Sequence, residues 1–414
     1  MTSSEPTSRR RVLKGAGSLA GAGAVGGLAG CLEDDPDDTD DTVTDDTDTD
    51  DTDTDDEQEL ADSLSWWAVD TARPPSGWDQ WEAEHDFEID HTPAPWRQGE
   101  VMNRIVVGGG DTDFDYIQND VTLTGTLAGE DVIHQPDWEE IDHWDEAYQE
   151  VNETFGADLF GHADGELMSI IPLQNGDSVV CLEDHVGGPE ENDSYGILFD
   201  DEFAGRTALE AGFSMPLPKT MQYLAYNDLA DIEPDEINRP DQESVDAAIE
   251  FIEEQRDEGQ FRTFWSGWES AVSLLATEEV WAMDTWEPVV FALRADGHDA
   301  FYLEPHEGYA AWGHSCWMTT AGTEKRRNFR QFLSWMFDGW YGADVTSATG
   351  YLPPTPRGIE YAEESEDYDA EAIESVHEDV LENRLRHENS SFSDNFPGAE
   401  LFGYISSEWD RITS

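Results

Sequence analysis

Residues 64–69, LSWWAV, begin the part of the chain that decides the fold. Six apolar or small residues in a row, with two tryptophans and a valine among them, predict a β-strand. Trp78 and Trp81 follow at helical spacing, and residues 87–89 and 114–117 form two further short apolar runs. Strands that alternate with helical segments predict an α/β fold with a largely parallel sheet.

The helical segment between the second and third runs ends at three consecutive glycines, residues 108–110. Val101, Ile105 and Val106 fit one face of this helix. A glycine-rich phosphate loop would continue with Lys and Ser or Thr, and this chain lacks that pair. We therefore interpret the glycines as a helix C-cap.

The same alternation continues downstream. Apolar spacing predicts helices over residues 243–258 and 325–337, and a helix followed by a strand over residues 271–283. Residues 168–181 are predicted to form two strands around a polar turn at 174–177, where the chain crosses between domains. Residues 60–414 are too many for one typical core, so we expect two domains.

The first residues carry the features of an export signal. SRRRVLK at 8–14 precedes an uncharged run at 15–30, and LAGC at 28–31 resembles a lipobox. The alternative, a transmembrane helix, is disfavoured because about half of the run is glycine. We predict a twin-arginine lipoprotein signal at residues 1–31, with Cys31 lipidated and placed on the outer face of the cell membrane.

Residues 32–60 are predicted to be a disordered spacer. Residues 33–59 hold 17 acidic side chains and no basic or aromatic one, so this segment repels itself and cannot bury apolar surface.

The whole chain is strongly acidic, with 95 Asp and Glu against 21 Lys and Arg and a formal net charge of -74. Such a charge destabilises a compact protein unless molar salt screens it. We interpret the acidity as the solvated surface of a halophilic protein and expect no nucleic-acid partner. Single carboxylates are consequently poor site markers here.

The cysteine pattern indicates no metal site. Cys181 and Cys316 fit equally well a disulfide or two buried thiols, and neither CxxC nor HExxH spacing occurs. We predict no metal and no cofactor.

Four stretches in the second half resemble the solute-binding proteins of ABC transporters that include the spermidine/putrescine binders. They are ILFDDEFAGRTAL at 197–209, AMDTWE at 282–287, EGYAAWGHS at 307–315 and TGYLPPT at 349–355. With the strand–helix rhythm of the first third, the resemblance covers roughly residues 62–360.

The resemblance implies a two-lobe periplasmic-binding-protein-like fold of type II, in which a solute is held in a cleft between lobes joined by hinge crossings. Lobe 1 is expected to comprise residues 61–175 and 310–355, and lobe 2 residues 176–309 and 356–414. The partners that it implies are a membrane permease and its ATPase. We expect a monomer that changes no bond in its solute and attaches to the membrane only through Cys31.

The resemblance also implies a set of ligand-binding residues, with aromatic rings and carboxylates suited to an organic cation such as a polyamine. The matching positions are Trp67, Asp70, Asn119, Asp120, Glu210, Trp286, Trp312 and Tyr351. Two residues are added from this sequence itself: His314, which stands at the family's Asp position, and Glu287, a nearby acid that could take the role of that Asp. Asp284 is the alternative to Glu287 for this role. Polyamine binders carry an Asp where His314 stands, so which cation is bound stays open. Five other tryptophans fit apolar patterns and are predicted to lie in the core: Trp66, Trp265, Trp281, Trp317 and Trp335.

Two other functions fit the sequence less well. A lipid-anchored secreted hydrolase lacks support from a nucleophile elbow, a zinc motif or a triad order. A structural surface protein would predict repeats or β-sandwich spacing, and neither occurs.

Overall fold

A computed structural model describes residues 59–95, 98–155, 162–163, 166–234, 237–238, 240–392 and 398–413. The predicted export signal, Cys31 and nearly all of the predicted spacer lie outside these residues. Within them, no helix has both the length and the apolar character needed to cross a membrane.

The strands are β1 Ser63–Ala68, β2 Glu88–Pro93, β3 Tyr116–Asp120, β4 Ile133–His134, β5 His162–Ala163, β6 Glu166–Leu167, β7 Ile170–Leu182, β8 Thr207–Glu210, β9 Phe261–Trp265, β10 Ala282–Thr285, β11 Ala300–Tyr302, β12 Ala310–Thr319 and β13 Ser391–Phe392.

The α-helices are α1 Asp79–Glu84, α2 Gln98–Met102, α3 Gly110–Asp113, α4 Thr124–Gly129, α5 Trp144–Phe155, α6 Glu183–Val186, α7 Pro216–Tyr226, α8 Gln242–Glu258, α9 Trp268–Ala276, α10 Pro288–Ala295, α11 Arg326–Phe337, α12 Gly339–Thr349, α13 Arg357–Glu364, α14 Ala370–Glu378 and α15 Gly398–Thr413. Two further segments, Asn103–Val107 and Asp379–Leu385, are π-helical.

One mixed sheet runs through the structure in the strand order β2-β1-β3-β12-β7-β10-β8-β9. The pairs β2–β1–β3 and β10–β8–β9 are parallel. The central pairs β3–β12, β12–β7 and β7–β10 are antiparallel. The prediction of a largely parallel sheet therefore holds only for the two outer thirds.

Strand β7 joins the two halves of this sheet. Residues 170–177 pair with β12 in the first half, and residues 178–182 pair with β10 and β11 in the second. The predicted turn at 174–177 is wrong, because β7 is continuous through it. The buried side chain of Asn175 is accommodated in this strand because it donates to the Gly350 carbonyl oxygen at 3.0 Å.

Helix α8 shows how the sequence fixes local structure. The Asp241 carboxylate accepts the backbone N–H of Ser244 at 2.8 Å, and Gly259 ends the helix at a φ of 87°. Its buried residues include the predicted stripe of Val245, Ala248 and Ile249. The predicted helices at 243–258 and 325–337 are both confirmed. The triple glycine also follows prediction, since Gly108 caps the π-helical segment that precedes it.

The core is rich in aromatic rings. Trp66, Trp265, Trp317 and Trp335 are buried as predicted, whereas Trp281 is only partly buried. Cys181 and Cys316 are buried free thiols, which settles the alternative left open by the sequence. Helices α13 and α14 pack beside α12, and α15 packs on α8. The residue boundaries of the two lobes stay a prediction.

Candidate functional site

A small cavity of about 20 Å³, which is room for about one water molecule, lies where both halves of the sheet contribute side chains. Its lining residues are Asp120, Asp177, Glu210, Ser214, Met215, Trp286, Trp312, Gly313, His314 and Tyr351.

Strand ends place several of these residues. Asp120 is the last residue of β3, Glu210 is the last of β8, and Trp286 directly follows β10. Because β8 and β10 are parallel neighbours, Glu210 and Trp286 meet at one edge of the sheet. Tyr351 follows Gly350, which ends α12 at a φ of 74° that favours glycine.

Aromatic rings form one wall. The rings of Trp312 and His314 stack with centroids 4.5 Å apart, and Tyr351 meets Trp312 edge-on at 4.8 Å. Trp286 packs edge-on against Trp265 at 5.0 Å. The Tyr351 hydroxyl is fully buried and finds no hydrogen-bond partner within the described ranges, and Tyr351 is one of the residues that line the cavity.

Asp177 is the acidic group bonded to this wall. Its Oδ1 accepts the indole N–H of Trp312 at 2.8 Å and the hydroxyl of Tyr302 at 3.4 Å. Burial raises the pKa of Asp177 to about 7, even though Lys219 and the Trp312 bond favour the charged form.

Two more carboxyl groups line the cavity. Asp120 accepts hydrogen bonds from the backbone N–H of Thr122 at 3.0 Å and from Gln98 Nε2 at 3.1 Å, and burial still raises its pKa. The pKa of Glu210 is raised well above its usual value by burial, and then by the charges of Asp284 and Asp177. The ligand-free cavity thus opposes full ionisation of its carboxyls.

The nearby amine is already engaged. Lys219 Nζ forms a buried ion pair with Asp284 and donates to the Ser178 carbonyl oxygen at 2.9 Å. Neither Lys nor Arg occurs among the lining residues that the structure describes. Burial lowers the pKa of His314 to about 3, so its imidazole is neutral at ordinary pH. Three carboxyl groups therefore face the space without a lining cation.

The structure brings six of the ten predicted ligand residues to this cavity: Asp120, Glu210, Trp286, Trp312, His314 and Tyr351.

The other four lie outside the cavity lining. Trp67 is buried and donates to the Pro93 carbonyl oxygen at 3.2 Å. Asp70 is exposed, and Asn119 donates to a backbone carbonyl at 3.1 Å. Glu287 lies next to Trp286, but both of its oxygens accept hydrogen bonds from Arg384, at 2.7 and 2.8 Å.

Four lining residues were not predicted: Asp177, Ser214, Met215 and Gly313. Asp177 was missed because residues 174–177 were interpreted as a turn, which places its side chain in solvent. Nothing in a sequence with 95 acidic residues distinguishes it further. The described residues contain no group of three or more His, Cys, Asp or Glu side chains arranged to hold a metal ion.

Comparison with known proteins places the chain in a family. Residues 78–372 match the family model described as bacterial extracellular solute-binding protein. This match covers more than half of the chain, which therefore belongs to that family. A search of curated proteins finds no match.

Solved structures show the same fold. A protein described as a spermidine/putrescine ABC transporter from Listeria monocytogenes aligns with a TM-score of 0.65 and 14% identity, over 85% of this chain and 99% of that one. The spermidine/putrescine substrate-binding protein PotD from Streptococcus pneumoniae aligns with a TM-score of 0.62 and 14% identity, over 85% of this chain and 98% of that one. MotA from A. tumefaciens B6, in complex with glucopine, aligns with a TM-score of 0.61 and 15% identity, over 85% of this chain and 100% of that one.

The chain is thus an extracellular solute-binding protein, and the predicted α/β periplasmic-binding-protein-like fold is confirmed.

Proposed function

We propose that this protein captures a small organic cation, with a polyamine as the best candidate, in the cavity between the two halves of the sheet. Hinge closure then presents the loaded form to an ABC permease and its ATPase. The observation that carries the proposal is the cavity lining, with Asp120, Asp177 and Glu210 facing a space that no Lys or Arg lines in the described part of the chain.

Charge balance supports a cation. Three carboxyl groups, Asp120, Asp177 and Glu210, line the cavity. A fourth, Asp284, accepts the backbone N–H of Glu210 at 3.4 Å and is paired with Lys219. A buried carboxylate without a counter-ion is costly, so each remaining acid needs either a proton or a bound cation. An ammonium ion from the solute supplies the missing charge.

The aromatic wall supports an organic cation over a bare ion. Trp286, Trp312 and Tyr351 offer ring faces and edges to an alkylammonium chain, and a cation over a ring gains about 0.5–2 kcal/mol per contact. The buried Tyr351 hydroxyl adds a group able to accept one ammonium N–H. Two of the aligned structures carry spermidine/putrescine in their descriptions, which agrees with this choice of solute class.

The same proposal includes the export route, the lipid anchor and the monomeric state of the protein. Export through the twin-arginine signal and lipidation of Cys31 would tether the protein outside the cell, with residues 32–60 as spacer. The acidic surface would keep it soluble in molar salt as a monomer. Mass spectrometry of the membrane-extracted protein tests the anchor, because lipidation requires an N-terminus at Cys31 that carries acyl chains.

Thermal unfolding in molar salt tests the choice of solute. The full chain is heated alone and with putrescine, spermidine, amino acids, sugars or short peptides. A ligand at 100 times its dissociation constant adds about 2.7 kcal/mol to the free energy of unfolding. We expect the stabilising compounds to be cations.

Single-residue variants locate the site in the same assay. Trp286→Ala and Trp312→Ala should remove the ligand-induced shift while the folded protein persists. Trp268→Ala is the matched control, because Trp268 is an exposed tryptophan outside the cavity lining. Full affinity in both cavity variants would contradict the placement of the site.

A further inference from the structure

Arg384 is buried among hydrogen-bond acceptors next to the segments that line the cavity. It belongs to the π-helical segment Asp379–Leu385 and is only 7% exposed. Its guanidinium donates to both carboxylate oxygens of Glu287 at 2.7 and 2.8 Å, and to Asp379 at 2.6 Å. It also donates to the side-chain oxygen of Asn175 at 3.2 Å. The cavity lining does not include Arg384.

The groups that Arg384 holds adjoin the aromatic wall. Glu287 directly follows Trp286 in the chain. Asn175 pairs with Trp312 in the β7–β12 ladder.

Asn175 extends the network to the third ring. Its Nδ2 donates to the carbonyl oxygen of Gly350 at 3.0 Å, and Gly350 directly precedes Tyr351. The same Nδ2 also donates to Glu287 at 3.2 Å. One guanidinium group therefore connects the chain segments that carry Trp286, Trp312 and Tyr351.

The fit around the arginine is close. A Cβ atom on Gly176 would come within 3.0 Å of the Arg384 Cβ and 2.9 Å of the Tyr309 Cβ, so glycine at this position of β7 leaves room for the arginine stem. The rings of Tyr302 and Tyr309 lie 5.3 and 5.8 Å from the guanidinium carbon. The planar guanidinium group has several donors in fixed directions, so it can bond to the oxygens of Glu287, Asp379 and Asn175 at once, which an ammonium group cannot do in the same geometry.

We propose that Arg384 is a positioning residue that fixes the relative placement of the three aromatic rings and so determines which solute fits between them. The inference rests on the proposed function of the cavity. It concerns a residue beyond position 372, where the match to the family model ends.

A ligand-free measurement tests the positioning directly. Gln174 and Leu352 exchange two backbone hydrogen bonds, at 2.9 and 3.0 Å, and they lie next to Asn175 and Tyr351. Native-state hydrogen exchange reports local opening at these two amides. In Arg384→Gln we expect both amides to exchange about tenfold faster, which corresponds to about 1.4 kcal/mol of local stability.

Arg386→Gln is the matched control. Arg386 lies two residues further along the chain and pairs with Glu382 at 2.8 Å and Glu150 at 3.1 Å, so its loss removes ion pairs outside the Arg384 network. We expect wild-type exchange at Gln174 and Leu352 in this variant. Arg384→Lys keeps the positive charge beside Glu287, so it covers the case in which the Gln variant does not fold. It should show the same faster exchange to a smaller extent.

Binding provides the second readout, with putrescine as the probe. Arg384→Gln should weaken putrescine binding about tenfold, and Arg386→Gln should leave it unchanged. If exchange at the two amides is unaltered in every folded Arg384 variant, the positioning role is refuted. If wild type binds no cation while the exchange result holds, the proposed function fails and the positioning role stands.

Discussion

Asp177 should couple solute binding to proton release. Its carboxyl group is buried, its pKa is raised to about 7, and it lies in the cavity lining. A cationic solute favours the ionised form, so binding at pH 6 must first remove a proton from Asp177, whereas at pH 8 Asp177 is already largely ionised. The solute keeps its charge throughout, because alkylammonium groups titrate near 10.

The magnitude follows from the pKa of about 7. If only ionised Asp177 accepts the cation, the association constant at pH 6 is about tenfold lower than at pH 8. Glu210 raises the expected slope, since its pKa is also elevated by burial. Asp177→Asn is nearly isosteric and uncharged at every pH. It should remove the Asp177 contribution to the slope and weaken binding at pH 8 by about 2 kcal/mol or more, which is roughly thirtyfold.

Isothermal titration calorimetry with putrescine in molar salt provides the assay. Two buffers with different ionisation enthalpies, compared at pH 6, report the number of protons released. We expect about one proton or more from wild type and fewer from Asp177→Asn. An affinity independent of pH between 6 and 8, with no proton release, would refute the reasoning.

The Asp177 carboxyl group should also make the stability of the ligand-free protein fall as pH rises, whereas the affinity for the cation rises. The folded pKa of Asp177, about 7, lies above its ordinary value of 3.8. The folded state therefore holds the proton more tightly, and ligand-free stability falls as pH rises from about 4 to about 7. The difference corresponds to a loss of about 4 kcal/mol at most. Asp177→Asn should remove this decline in chemical-denaturation experiments, and an undiminished decline would exclude Asp177 as its source.

Three further predictions concern buried groups. Lys219→Met leaves its carboxylate partner unpaired in the interior and should lower the free energy of unfolding by about 3–5 kcal/mol; unchanged stability in denaturant would contradict this. Trp312→Phe removes the indole N–H that Asp177 accepts, so the pH midpoint of putrescine binding should rise; an unmoved midpoint would show that the bond does not stabilise the carboxylate. Burial raises the pKa of the Cys181 and Cys316 thiols, which should react with an aromatic disulfide reagent only on unfolding. Rapid labelling of the native protein would contradict the buried assignment.

Much of the fold could be predicted from local patterns. The apolar run at 64–69, the stripe of α8 and the helix at 325–337 each occur where the spacing of apolar residues indicates them. The central strand was missed for a physical reason. Gln-Asn-Gly-Asp at 174–177 has the composition of a turn, and only the partners supplied by distant segments allow it to remain extended.

In the site, too, some residues could be predicted from local sequence and others depend on distant segments. Trp286, Trp312 and Tyr351 could be placed from the family resemblance because they lie in matching stretches. Asp177 could not be placed in this way, because its position in the site depends on the register between β7 and β12. Glu287 was assigned to the ligand as an acid that could replace the family Asp, yet its partner Arg384 lies 97 positions along the chain. Such long-range pairs leave no local signal.

The central claim is that the cavity binds a small solute through its positive charge. Calorimetric titration of the wild-type protein in molar salt with putrescine, and with the uncharged 1,4-butanediol of the same chain length, tests it most directly. We predict saturable binding of the diamine and none of the diol over the same concentration range. Equal affinity for the two compounds, or binding of the diol alone, would contradict the account.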